Sequence, residues 1–110
     1  MRLAPDLLMS EADYQGRIVE AARLHGWRIH HCRPLQRRDG RWQTPVTGHP
    51  GFPDLVLLRG ARLLVLEVKT DIGRVTPAEE AWLAAWREVP RAEVHVVRPR
   101  YWSLVEEMLR

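Results

Sequence analysis

Asp54-Leu55-Val56-Leu57-Leu58-Arg59-Gly60-Ala61-Arg62-Leu63-Leu64-Val65-Leu66-Glu67-Val68-Lys69 is a pair of apolar runs around a Gly-Ala dipeptide, and it reads as one β-hairpin. Glycine at the first central position of a two-residue loop suits a type II′ turn. A loop of that length sets the register. Leu58 stands opposite Leu63 and Val56 opposite Val65, so the next partners on that face are Asp54 and Glu67. Directly opposed residues hold their Cβ atoms roughly 4.5 to 5.5 Å apart, and like charges placed there are destabilising unless compensated. A divalent cation compensates them. Lys69, two residues beyond Glu67, projects from the same face because strand side chains alternate.

The rest of the hairpin is apolar on both sides. Leu55, Leu57, Leu64, Leu66 and Val68 form one face; Val56, Leu58, Leu63 and Val65 form the other. A strand pair of this kind is expected between two layers, with its charged end at the rim of a core. There Asp54 and Glu67 are partly desolvated, their repulsion is less screened than in water, and carboxylates so placed bind metals.

The chain of 110 residues is expected to form a single domain over 1–110, with one core and αβ layering. No stretch approaches the roughly 18 to 20 uninterrupted apolar residues of a membrane span. Pro5 and Asp6 interrupt the opening segment, which lacks the apolar centre of a secretory leader. Cys32 is the one cysteine, which excludes an internal disulfide and fits a reducing cytoplasm. Lys plus Arg number 17 against 14 Asp plus Glu, and every basic residue except Lys69 is arginine, the better fork for phosphate.

That charge is uneven. Residues 33–50 hold Arg33, Arg37, Arg38 and Arg41 with Trp42 and a single acid, punctuated by Pro and Gly. Such a loop either is a solvated connection or contacts a sugar-phosphate backbone while Trp42 stacks on a base. It runs directly into Gly51-Phe52-Pro53-Asp54, which favours the second role for its arginines.

Outside the hairpin, Ser10-Glu11-Ala12-Asp13 opens a helix in the manner of a capping box. Tyr14, Ile18, Ala21, Ala22 and His25 then recur at helical spacing until Gly26. Residues 27–33 read as a strand. Thr76-Pro77-Ala78-Glu79 combines an N-cap, a proline at the first helical position and a capping-box glutamate. Trp82, Ala85, Trp86 and Val89 give this second helix an apolar stripe, more naturally core than a base-stacking platform, and Pro90 ends it. Residues 93–97 supply a fourth strand and 101–109 a short helix. The order is helix, three strands, helix, strand, helix.

Gly51-Phe52-Pro53-Asp54, Glu67-Val68-Lys69 and Gly73-Arg74-Val75-Thr76-Pro77 together resemble the VRR-NUC family of the PD-(D/E)xK nuclease superfamily, in its stand-alone phage or bacterial type. The likeness runs from about Ser10 to Val97. It implies an α/β fold with a restriction-endonuclease-like αβββαβ core, a mixed central sheet flanked by helices. It also implies Mg²⁺- or Mn²⁺-dependent hydrolysis of DNA phosphodiesters, with branched, flap or Holliday-junction substrates. Carried over residue by residue, Asp54 and Glu67 are the metal-binding carboxylates, the Val68 carbonyl is a further ligand, and Lys69 orients or helps deprotonate the attacking water. Arg74 joins Arg33, Arg37, Arg38, Arg41 and Trp42 as a DNA contact. The first helix contributes an acid or glutamine. Glu11 continues the Tyr14 and Ile18 face and is chosen as catalytic, with Gln15 and Glu20 as alternatives; a glutamate near a helix N-terminus also stabilises the helix by itself. Relatives of this pattern often carry glutamine where this chain has Glu79, so Glu79 either caps its helix or faces the metal.

His30, His31, Cys32 and His49 offer zinc-binding atoms, but adjacent strand residues point to opposite faces and the spacing matches no common zinc site. Besides an endonuclease, two function classes stay open: a catalytically silent nucleic-acid-binding module on the same fold, and a partner-binding subunit. Resolving a junction takes two symmetric cuts, so a homodimer is expected, with DNA as partner, no membrane and no organic cofactor, in the cytoplasm of a bacterial or phage-infected cell.

Overall fold

Gly60 takes φ +58° while, among the described residues, none other than glycine has positive φ, so the hairpin turn is of type II′. The register is the one that turn dictates: Leu55 pairs with Leu66, Val56 with Val65, Leu57 with Leu64, Leu58 with Leu63 and Arg59 with Arg62. The computed structural model describes residues 9–32, 35–43 and 46–110, so Arg33 lies outside the described residues. The hairpin strands are β4 (Leu55–Arg59) and β5 (Arg62–Val68).

Around them the chain adds α1 (Glu11–Leu24), β1 (Arg28–His31), a short β2 (Leu35–Gln36) and β3 (Trp42–Gln43), α2 (Pro77–Arg87), β6 (Ala92–Val97) and α3 (Trp102–Leu109). The main sheet has the order β1-β4-β5-β6. Strand β4 runs antiparallel to β1 and β5, and β6 runs parallel to β5. The parallel pairing follows from the intervening α2, since two parallel neighbours need a crossover. The architecture is a mixed α/β fold with a four-stranded mixed sheet and three helices.

The first two helices start on local chemistry, and the first also stops on it. The Ser10 hydroxyl accepts from the Asp13 N–H (3.1 Å), and α1 ends where Gly26 turns to φ +80° and Trp27 N–H reaches back to Ala22 O (3.0 Å). Thr76 and Glu79 close a reciprocal capping box on α2 behind Pro77.

One face of the hairpin makes the core: Leu55, Leu57, Leu64, Leu66 and Val68 are fully buried against Tyr14, Ile18 and Ala22 of α1 and Val105 and Leu109 of α3. The other face is covered only toward the end away from the turn, where Val65 and Leu83 of α2 are buried, whereas Leu58 is 46 % exposed. The expectation of two buried faces therefore holds at one end of the hairpin alone, because α2 is too short to cover both ends.

The turn end is held differently. Arg59 and Arg62 are direct cross-strand partners, a like-charge pair that needs compensation. The Arg59 guanidinium donates to the carbonyls of His25 (3.0 Å), Leu109 (3.1 Å) and Arg110 (3.0 Å), which lie at the C-terminal ends of α1 and α3. Arg62 grips both Glu93 oxygens (3.0 and 2.8 Å) and the Met108 carbonyl. Both arginines lie over the Trp27 ring, at 4.4 and 5.1 Å.

Two expectations are corrected. Part of the basic loop is a small antiparallel pair, β2 with β3, closed by a turn in which Asp39 accepts from the Arg41 N–H. A two-residue strand is too short to show periodicity, so its sequence looks like loop. In α2 the buried residue is Leu83, while Ala85 and Val89 face solvent and Trp82 and Trp86 pack half-buried on Phe52, at 4.9 and 6.3 Å. The inward stripe is Glu79, Leu83, Trp86, and it places a carboxylate at its head.

Gly51 joins this helix to the hairpin. Its φ is +90°, and a Cβ there would lie 2.6 Å from the Ala78 backbone carbon. Gly48 also has positive φ (+105°) but nothing within 4 Å. Gly48→Ala is expected to lose about 1 kcal/mol to backbone strain alone. Gly51→Ala should lose about 1 to 3 kcal/mol more, because α2 must move. Urea unfolding of the two variants side by side measures the difference.

Candidate functional site

The hairpin ladder stops at Leu55 and Leu66, and the reason is Pro53. Continued in register, Pro53 would face Val68, but proline has no N–H to donate to the Val68 carbonyl. Asp54 takes over instead: its Oδ2 accepts from the Val68 N–H at 2.8 Å. The Asp54 carboxyl is thereby fixed beside β5, on the side of that strand where the Val68 carbonyl also points. On the opposite edge of β5 the parallel ladder continues, with Lys69 N–H donating to Val97 O (3.1 Å). The site thus grows out of a central strand paired on both sides.

Glu67 is 2 % exposed and its Oε2 is buried with no hydrogen-bond donor. Its near neighbours are the carboxyls of Asp54 and Glu79. Ionised carboxylates only accept hydrogen bonds, so such contacts need a proton or a cation between the oxygens. Burial first, then the hydrogen bond and charge of Asp54, then Glu79, push the Glu67 carboxyl up to about 10. Without a cation it holds its proton at neutral pH.

Lys69 is 9 % exposed and bonded to Glu79, with Nζ at 2.8 Å from Oε1 and 3.1 Å from Oε2. Glu67 Oε1 lies 4.0 Å from the same Nζ. Burial pulls the lysine down, but Glu79, Glu67 and Glu11 outweigh it and leave the ammonium above its ordinary value. Glu79 in turn is held below the usual carboxylate range: burial opposes its ionisation, and the Lys69 ammonium and the Thr76 N–H (2.8 Å) overcome that. Glu79 therefore caps α2, one of the two roles left open by the sequence, and also grips Lys69, a role the sequence did not suggest.

Glu11 heads the buried stripe of α1, one turn before Tyr14. Its carboxyl is raised by burial and by the charge of Asp54, with Lys69 lowering it and Glu79 raising it again. Those couplings bring Glu11 to the same cluster. Gln15 is instead bonded to His31 of β1, and Glu20 is exposed on the outer side of α1. Of the first-helix candidates, Glu11 is the one whose carboxyl feels the charges of Asp54, Lys69 and Glu79.

The expected DNA contacts do not gather at the carboxylates. Arg37 and Arg41 pair with Asp39 in their own turn, at 3.5 and 4.0 Å, and among the described residues neither forms an ion pair with Asp54 or Glu67. Arg38, Trp42 and Arg74 are exposed, Trp42 at 67 %.

The arrangement suits a hard divalent cation. Mg²⁺ commonly takes one or two carboxylates plus waters, and here Asp54, Glu67 and the Val68 carbonyl supply oxygens at one point of the rim. Among the described residues no group of three or more His, Cys, Asp or Glu side chains is placed to hold a metal ion, so any cation here would rest on fewer side chains with the Val68 carbonyl and water. No protein-family model matches the chain, and no curated protein matches it.

The raised Glu67 carboxyl has a definite effect on stability. Its folded value lies above its unfolded one, so the native state binds the proton more tightly and unfolding becomes easier as pH rises from about 4.5 toward about 10. Glu67→Gln keeps the shape and removes the titration. It should be more stable than the parent at pH 7, on the order of 1 to 3 kcal/mol. The gain should vanish below pH 4.5, and Mg²⁺ or Mn²⁺ should raise the melting temperature of the parent but not of the variant. Denaturant titrations at several pH values and thermal melts with each cation test this.

Proposed function

We propose that this chain is a metal-dependent endonuclease that hydrolyses DNA phosphodiesters, acting on branched, flap or junction structures, on a restriction-endonuclease-like core of the VRR-NUC type. One observation supports it above the rest: Asp54 and Glu67 are pressed together at the rim with the Lys69 ammonium beside them, an arrangement destabilising for the fold alone. Asp54 and Glu67 would hold a divalent cation there, whose charge would take the place of the proton that Glu67 otherwise keeps. When bound, Mg²⁺ or Mn²⁺ supplies Lewis acidity toward the phosphate and a lowered water pKa.

The chain's own residues do the remainder. Asp54, locked by the Val68 N–H, and Glu67, locked in the central strand, hold their oxygens in place without reorganisation. Lys69 places positive charge where negative charge grows on the scissile phosphate and orients the attacking water. Glu79 fixes the lysine in that position, and Glu11 adds an accessible carboxyl for further water. Arg37, Arg38, Arg41, Arg74 and Trp42 contact backbone and bases, and the excess of 17 basic over 14 acidic residues favours a polyanion. Two symmetric cuts in a junction require two sites, which makes the active species a homodimer.

The decisive experiment is a cleavage panel of labelled duplex, single-stranded, flap and four-way-junction DNA with Mg²⁺, Mn²⁺ or chelator. Asp54→Asn retains an acceptor for the Val68 N–H, so it should fold, yet it and Lys69→Ala should lose about 10²-fold or more in rate. DNA binding without metal-dependent cuts would favour the silent binding module. Light scattering at assay concentration should give twice the chain mass; a strict monomer would remove junction resolution and leave nicking.

A further inference from the structure

The loop between Lys69 and α2 carries Ile72, which is 91 % exposed. A lone surface apolar side chain usually needs no explanation, but this one is displayed on a loop that is tied down. The Arg98 guanidinium donates to the carbonyls of Thr70 (2.6 Å) and Gly73 (2.7 Å), one on each side of Ile72. Arg100 holds Asp71 through its backbone N–H (3.1 Å), its Nε (3.0 Å) and its Nη2 to the Asp71 carbonyl (2.9 Å). Gly73 N–H closes the turn onto Thr70 O (3.3 Å). These contacts fix the backbone around an isoleucine that touches almost nothing. The loop also stands at the site: Lys69 immediately precedes it, and a Cβ on Gly73 would lie 3.6 Å from Lys69 Cδ.

We propose that Ile72 is a wedge inserted between bases of the DNA substrate, and that it supplies the preference for branched over continuous duplex. The inference rests on the nuclease function above and adds how the substrate is chosen. Apolar side chains placed between base steps unstack them, and unstacking is least unfavourable where pairing or stacking is already broken. A branch point or nick meets that condition and an intact duplex does not. The side chain is preorganised, so little ordering is lost on insertion. Arg74, exposed two residues on, is placed to take the adjoining phosphate.

The test uses the whole chain with four-way-junction, nicked and continuous duplexes carrying 2-aminopurine at or beside the branch or nick. Ca²⁺ replaces Mg²⁺, so that binding is read without relying on cleavage. The parent should raise the fluorescence of the branched and nicked probes on binding. Ile72→Ser should still bind, with affinity lowered about tenfold or less because phosphate contacts carry most of it. It should lose the fluorescence rise and most of the preference for branched over continuous DNA, while Ile72→Leu restores both. An Ile72→Ser protein that binds with an unchanged rise and preference overturns the wedge and leaves the nuclease standing. A parent that binds none of the probes even at low salt overturns both.

Discussion

The structure depends on one register. Gly60 allows a two-residue type II′ turn, and that turn brings Asp54 level with Glu67 at the far end of the hairpin. A slip of one residue would send every side chain of a strand to the opposite face, putting Glu67 among the core leucines. Both faces carry apolar residues, so it is the charges of Glu67 and Lys69, which a slip would turn toward the core of Leu64, Leu66 and Val68, that oppose it. The interaction that stabilises the fold and the one that brings two acids together are therefore the same pairing.

The two ends of the hairpin show opposite solutions to like-charge opposition. At the turn, Arg59 and Arg62 face each other and are satisfied by helix C-terminal carbonyls, Glu93 and the Trp27 ring. At the other end, Asp54 takes the Val68 N–H, and Glu67 lies against the carboxyls of Asp54 and Glu79 and 4.0 Å from a lysine shared with Glu79. The first end is saturated with protein partners. The second keeps a buried Glu67 oxygen without a donor, as the first does not.

Much of this was legible in the chain because it is written locally: the turn residues, the caps at Ser10 and Thr76, the proline that opens α2, and the apolar runs of the hairpin strands. What escaped depended on contacts distant in sequence. Trp82 and Trp86 drew the stripe of α2 toward themselves, yet Leu83 is the residue that meets the sheet, and only that choice puts Glu79 over Lys69. The β2–β3 pair carries no periodic signal at two residues per strand. Proximity in sequence put the loop arginines beside the carboxylates, whereas Arg37 and Arg41 pair with their own Asp39. Preferring Glu11 among the first-helix candidates rested on local spacing, since it extends the Tyr14 and Ile18 face to the helix start.

Strand β5 is bonded along both edges, antiparallel to β4 and parallel to β6. Glu67 and Lys69 therefore have no slack: moving either means tearing the middle of the sheet. Sequence change that alters what this surface contacts would have to leave this strand alone and act through what is pinned less deeply, the opening turns of α1 and α2 and the 70–75 segment. Divergent descendants of this chain should keep the same hard centre while their outer contacts drift quickly around it.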